Sequence, residues 1–248
     1  MQLTELSDYI GRLLDVSQFR DYCPNGVQVE GRAEVLRIAT GVTASQRLLE
    51  AATAWQADAL IVHHGYFWKN EEATVTGIKK RRLTHLLQHD MSLLAYHLPL
   101  DAHSELGNNA QLAKRLGLRE TGRFGEQDIA WRGELLQPQT LNKFAAQITH
   151  TLQRTPLVIG DGERMLRKVA WCSGAAQSYF EQAIAMGVDA FLTGEISEQN
   201  VHTAEETGVA FISAGHHATE RYGVQALGEH LAQQFKIAQH FFDLDNPV

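Results

Sequence analysis

Cysteine is scarce: only Cys23 and Cys172 occur in 248 residues, far apart and without a CxxC or other ligand spacing. That excludes a disulfide framework and reads as two free thiols in a reducing compartment. Long apolar runs are missing as well, none approaching the length that crosses a bilayer, so no membrane partner is expected. The opening residues Met1-Gln2-Leu3-Thr4-Glu5-Leu6 carry an early acid and no basic-then-apolar segment. No signal peptide is therefore visible, and a cytoplasmic location is expected. Excess positive charge is lacking too: 22 Lys and Arg against 29 Asp and Glu give a net charge of −7. A general footprint for indiscriminate nucleic-acid binding is excluded, although a local basic patch is not. There is no GxxxxGK[ST] loop, so a nucleoside triphosphate would have to be gripped by other means. What is present is ordinary globular composition, 44% hydrophobic and 21% charged, which rules out a fibrous or disordered chain.

The chain repeats itself. A shift of 131 lays Arg37–His64 over Lys168–Glu195 and matches eight residues, among them Ala39/Ala170, Gln46/Gln177, Glu50/Glu181 and Asp58/Asp189. Chance would give roughly two. The same shift reaches upstream to Gly31/Gly162 and Val27/Val158. Each copy reads as strand (Arg37–Val42, Lys168–Ser173), helix, then strand (Asp58–Val62, Asp189–Thr193). Leu48, Leu49 and Ala52 form the apolar face of the first helix, Tyr179, Phe180 and Ala183 that of the second. A second shift, of 119, accommodates extra residues around Asn70–Arg82. It places strand Met91–Tyr96 over Ala210–Gly215, His97 over His216 and Asp101 over Glu220. Helices follow at Gly107–Leu116, capped by Asn108 or Asn109, and at Gly223–Gln234. Trp131–Leu136 reads as a strand and Leu141–Leu152 as a helix that matches the opening helix Leu3–Leu14. The expected fold is therefore α/β: internally duplicated strand-helix-strand units in two interlinked halves, 1–126 and 127–248, with helices packed on mainly parallel sheets. The junction is expected near Gly125–Asp128.

Histidine and carboxylate collect where strands end. His63 and His64 follow Ala59-Leu60-Ile61-Val62 and precede Gly65; His97-Leu98-Pro99-Leu100-Asp101 and His216-His217-Ala218-Thr219-Glu220 each follow another strand. All three are expected on one carboxyl-terminal sheet edge, where parallel sheets bind ligands. Neighbouring strand residues point to opposite faces, so His63 and His64 are expected to serve two ions rather than chelate one. A helix starting at His216 would put Glu220 on the same face, whereas Pro99 is expected to make the first cluster a loop. A lone histidine at a strand end is most often a solvated loop residue; three clusters together argue otherwise. Imidazole with carboxylate and no thiolate suits zinc, iron, manganese or cobalt, and favours a dinuclear site. His85, His89, His103, His150, His230 and His240 sit on polar or helical stretches and are assigned no role. The basic run Lys79-Lys80-Arg81-Arg82 reads as a solvated face before it reads as a phosphate contact.

Taken in order, Pro24–Gly31, Gly41–Ala44, His63-His64-Gly65, His97 through Asp101, Thr193-Gly194-Glu195 and Gly215–Glu220 resemble the Nif-three-like family, whose bacterial members are called GTP cyclohydrolase type-two homologues. The resemblance spans nearly the whole chain. It implies two divalent ions per chain held by His63, His64, Asp101, His216 and Glu220, with the glutamate bridging, and a ring-shaped homohexamer. His217 departs from it, standing where many relatives have an aromatic residue.

The expected function is a dinuclear metal-dependent hydrolase acting on a nucleotide or related heterocycle. In a cyclohydrolase of this kind a metal-bridging hydroxide opens the imidazole ring of guanine. His97 is the candidate catalytic residue, for proton transfer or for support of the ligands, because it borders Asp101 and pairs with His216 in the repeat. The GTP assignment rests on the resemblance alone. The alternative is a non-catalytic metal-binding, assembly or regulatory protein, recognised by ions without an open coordination position. A central ring space could admit a small nucleotide or, if wide and lined by residues such as Lys79–Arg82, a nucleic-acid strand.

Overall fold

The computed structural model describes residues 1–248. The chain opens with helix α1 (Leu3–Leu13), whose buried Leu3, Leu6 and Ile10 recur at helical spacing. Strands β1 (Gly26–Val29) and β2 (Arg37–Thr43), helix α2 (Gln46–Ala54), strand β3 (Ala59–His64), helix α3 (Gly77–Gln88) and strand β4 (Ser92–Ala95) follow. Then come α4 (Leu98–Ala102), α5 (Asn108–Leu116), β5 (Leu118–Phe124), β6 (Ala130–Thr140), α6 (Leu141–Leu152), β7 (Leu157–Ile159) and β8 (Met165–Trp171). The chain continues through α7 (Phe180–Ala185), β9 (Ala190–Thr193), α8 (Glu198–Thr207) and β10 (Ala210–Ser213), and ends with α9 (His216–Phe235) and β11 (Ala238–Phe241). No helix is long and apolar enough to cross a membrane.

The strands form two sheets, ordered β1-β4-β3-β2-β11 and β5-β6-β8-β9-β10-β7. In the first, β2, β3 and β4 run parallel and β1 lies antiparallel on β4; in the second, β8, β9 and β10 run parallel and β7 lies antiparallel on β10. The duplication expected from the sequence is therefore present in topology, and also in register. Ile38 pairs with Ala59 and Val169 with Ala190, the same pairing moved by 131. Asp58 shows why that residue recurs. Its Oδ2 accepts the backbone N–H groups of Leu36 (2.8 Å) and Arg37 (2.9 Å), as Asp189 Oδ2 accepts those of Arg167 (2.8 Å) and Lys168 (2.9 Å). In both copies a carboxylate at the foot of one strand satisfies the entry of its neighbour.

The second shift needs correcting. Ala59 pairs with Ser92 and Ala190 with Ala210, so the third strands superpose one residue out of step with 119. His97 and His216 correspond only if the second copy carries one extra residue between strand and histidine.

The chain divides into two compact units, Met1–Leu100 with Gly223–Asp245, and Asp101–Tyr222 with Asn246–Val248. This division differs from the expected 1–126 and 127–248, because the last helix from Gly223 on and the last strand belong with the first unit: β11 pairs in parallel with β2, Ala238 opposite Arg37. The first unit's core packs Leu48, Leu49 and Ala52 of α2 with Leu60 and Val62 of β3 and Leu93 of β4. The second packs Phe144 and Ile148 of α6 with Val169 and Trp171 of β8 and Leu192 of β9. Burying side chains of this size stabilises by about 1.5–3 kcal/mol each, an upper estimate.

Candidate metal centre

In the first unit the apolar run Ala59–Val62 is fully buried and carries His63 and His64 out at the carboxyl end of β3. Their ring centroids lie 4.5 Å apart, and His97, just beyond β4, lies 5.1 Å from His63 and 5.8 Å from His64. One donor atom from each of the three comes within 4.8 Å of the others. The two rings lie side by side at His64, the last residue of β3. Trp68 stands edge-on to His97 at 5.0 Å, its indole N–H donating to the Gly65 carbonyl (3.2 Å).

Each ring is held through Nδ1. His63 Nδ1 meets the Tyr96 carbonyl at 3.0 Å, His64 Nδ1 the Thr43 hydroxyl at 3.1 Å, and His97 Nδ1 the Asp21 carboxylate at 2.7 Å. A carbonyl or carboxylate only accepts, so Nδ1 of His63 and His97 carries the proton and the lone pair sits on Nε2. This is the arrangement that orients a metal-binding imidazole.

In the second unit Asp101 lies on α4 and is 5% exposed. Pro99 did not make this segment a loop: it falls in the first turn of α4, where a missing N–H costs no hydrogen bond. Asn108 Nδ2 (2.7 Å) and Ser173 Oγ (3.0 Å) both donate to Asp101 Oδ1. Asn109 braces the same corner, donating to the Ile129 carbonyl (3.0 Å) and accepting from Ser173 N–H (3.0 Å). Neither asparagine caps α5, whose N-cap is Gly107; both are buried, Asn108 on the Asp101 carboxylate and Asn109 on backbone groups of Ile129 and Ser173.

His216 opens α9, so the i, i+4 spacing brings its Nε2 to 3.1 Å from Glu220 Oε2, and Glu195 Oε1 takes Nδ1 at 2.6 Å. Burial opposes a charged imidazole here, but hydrogen bonds to Glu220 and Glu195 and their charges outweigh it and hold the pKa at about 9. Backbone closes around the pair. A Cβ on Gly174, which has φ +65°, would lie 2.0 Å from Glu220 Oε1, and one on Gly194 would meet the Gly174 carbonyl and the His216 backbone at 2.7 Å.

The expected single edge is thus two edges. His63, His64 and His97 stand at the carboxyl end of the first sheet's parallel strands, and His216 and Glu220 at that of the second. The donors suit a divalent cation, with imidazole nitrogens fixed by acceptors and two carboxylates almost fully buried. Cys23 is a poorer candidate, although it groups with Asp21 and His97: burial, aided by the Asp21 charge, pushes its thiol up to about 12. Of the residues assigned no role, His85 bonds Thr53 (2.8 Å) and stacks on His89 at 4.4 Å. The basic run lies on α3, with Lys79 over the Phe67 ring and Arg82 over Tyr66, while Lys80 and Arg81 are exposed. Sequence reasoning missed Asp21, Thr43, Asn108, Ser173 and the part played by Glu195. Two of these carried a signal: Thr43 lies in the Gly41–Ala44 segment of the family resemblance, and Glu195 in Thr193-Gly194-Glu195, where it also matches His64 in the repeat.

The chain is 57% identical over 235 residues to a GTP cyclohydrolase 1 type 2 homolog of Neisseria meningitidis serogroup B, covering 95% of this chain and 94% of the relative. It is 54% identical over 249 residues to the protein of that name in Pseudomonas aeruginosa, covering 99% and 98%. Among solved structures, protein ybgI, of unknown function, superposes with a TM-score of 0.97 at 48% identity over the full length of both chains. The family model for Duf34/NIF3 (NGG1p interacting factor 3) matches residues 1–247. A whole-length family match, close relatives of the same name and a shared fold lead to one conclusion: the chain belongs to the Duf34/NIF3 family.

Proposed function

We propose that this protein is a divalent-metal hydrolase acting on a nucleotide or related nitrogen heterocycle, with two ions per chain. The observation that carries the reading is the bracing of the donors: histidines fixed at Nδ1 and carboxylates seated among hydrogen-bond donors at the carboxyl ends of parallel strands. His63, His64, Asp101, His216 and Glu220 are the proposed ligands, as the family resemblance implies. Glu220, with two oxygens, is the one suited to serve both ions. Divalent ions held there would supply Lewis-acid polarisation of the electrophile and ionise water near neutral pH. The chain's own contribution is orientation: Tyr96, Thr43 and Glu195 fix the imidazoles, and Asn108 and Ser173 fix Asp101. His97, beside the histidine pair, is proposed to contact water or substrate.

The relatives' name supplies the first substrate to try, GTP, in which addition of water to the imidazole-ring carbon would open the ring. With no P-loop, any grip on the phosphates lies elsewhere. Self-association as a homohexameric ring in the cytoplasm is part of the same proposal and rests on the family resemblance.

Protein loaded with manganese or zinc should be incubated with GTP, other nucleotides and phosphodiesters while the purine absorbance and released phosphate are followed. Metal-dependent turnover of a nucleotide is expected. A fully loaded protein inert across the panel would contradict the hydrolase and favour a non-catalytic metal protein.

A further inference from the structure

Asp21 has a complete polar seat in the first unit. Its side chain is 3% exposed, and each oxygen takes two donors: Oδ1 accepts Tyr22 N–H (2.6 Å) and His97 Nδ1–H (2.7 Å), and Oδ2 accepts Asn25 Nδ2–H (2.8 Å) and Leu98 N–H (2.9 Å). Asn25 returns the contact, its Oδ1 accepting the His97 backbone N–H at 2.7 Å. His97 is therefore held by ring and backbone at once, by two residues more than 70 positions away.

Burying a carboxylate is costly unless its lone pairs are met, and four donors meet them here. Although burial works the other way, the hydrogen bonds from His97, Asn25 and Tyr22 hold the Asp21 pKa below the usual carboxylate range, so the group stays an acceptor at neutral pH. A loop histidine with no task does not need such a seat. With Nδ1 committed to Asp21, Nε2 is the atom left to face His63 and His64, whose rings lie 5.1 and 5.8 Å away, and Trp68 closes one side of the ring.

We infer that Asp21, seconded by Asn25, is a positioning residue: it fixes the ring plane and the Nδ1–H tautomer of His97 so that Nε2 stands beside His63 and His64 as a hydrogen-bond acceptor for the reacting water or substrate. The inference rests on the hydrolase reading and adds to it the residue that makes His97 usable. A buried carboxylate serving only the loop would hold Leu98 and Asn25 equally well without setting the imidazole.

Proton NMR of the metal-loaded protein tests the seat directly. Wild type should show a downfield imidazole N–H resonance that disappears in His97→Gln. Asp21→Asn should lose the same resonance while keeping the wild-type metal content and fold by circular dichroism. In GTP turnover its kcat should fall ten- to a hundredfold with KM within twofold. A wild type without any His97-dependent downfield resonance would overturn the inference whatever the variant does. So would an Asp21→Asn protein with unchanged kcat. If loaded wild type turns over nothing, the hydrolase reading falls and this role falls with it, a result told apart from the others by the inactivity of the wild type itself.

Discussion

A single missing side chain decides whether Glu220 can sit where it does. Gly174 is in the left-handed region at φ +65°, and a Cβ there would lie 2.0 Å from Glu220 Oε1 and 3.2 Å from His216 Nε2. Gly174→Ala should therefore cost about 1–2 kcal/mol from backbone conformation alone and displace the carboxylate besides. A lower melting temperature with loss of bound metal is expected from a residue that is not itself a ligand; unchanged metal content would remove Glu220 from the site. His216 adds a pH dependence whose sign follows from its partners. The folded pKa, raised from 6.5 to about 9, means that the metal-free protein gains stability on the order of 3 kcal/mol from the charged form. That gain is complete below pH 6.5 and lost as pH rises through about 9. An ion competes with the same proton at Nε2, so metal affinity should strengthen across that window, and calorimetric titration at pH 6.5 and 8.5 should show it. Equal affinities would mean that His216 is not a ligand. The ligand candidates were legible because their spacing after apolar runs is local; Asp21, Asn108 and Ser173 were not, because each acts on a residue brought to it only by the fold.

Strands and helices were read well where the apolar period is long. The 3.6-residue spacing of α6 and the continuous apolar run of β3 leave little choice, and the repeat doubled the information for β2, β3, β8 and β9. The second copy's helix is shorter than the first suggests: α7 spans Phe180–Ala185 after a 3₁₀ turn at Gln177–Tyr179. Errors gathered at element ends. Pro99 reads as a breaker although the first helical turn tolerates it, and Asn108 and Asn109 read as caps although Asn108 turns inward to the Asp101 carboxylate and Asn109 to the Ile129 carbonyl and the Ser173 N–H. The one-residue slip in the third strand passed unseen, since a strand buried on both faces has no alternation to fix its register. Where a cap is present, its worth can be measured. Ser45 accepts Leu48 N–H at 3.3 Å at the start of α2, and Ser45→Ala should lower stability by about 1 kcal/mol with metal content unchanged. Chemical denaturation checks the first half and elemental analysis the second; a loss of metal would show that α2 does more than support β2 and β3.

At the scale of the molecule, two sheets arise from one repeated plan, and what breaks the plan is the last helix and strand. A pattern that reads locally as helix then strand does not say which sheet the strand will join, so the return of β11 to β2 was not legible. The ring expected from the family has its own test. Light scattering at micromolar concentration should give a mass several times the 27.7 kDa of one chain, and a monomer would contradict it. The central claim of the proposed function is that His63, His64, Asp101, His216 and Glu220 are the ligands of two ions per chain. Elemental analysis of wild type beside Glu220→Gln and His85→Ala, each purified in the same metal, tests it most directly. The account predicts about two ions per chain in wild type and His85→Ala and loss of most metal in Glu220→Gln, because a neutral amide is a poor ligand and leaves the positive charge uncompensated. Equal metal in wild type and Glu220→Gln, or none in wild type, would contradict it.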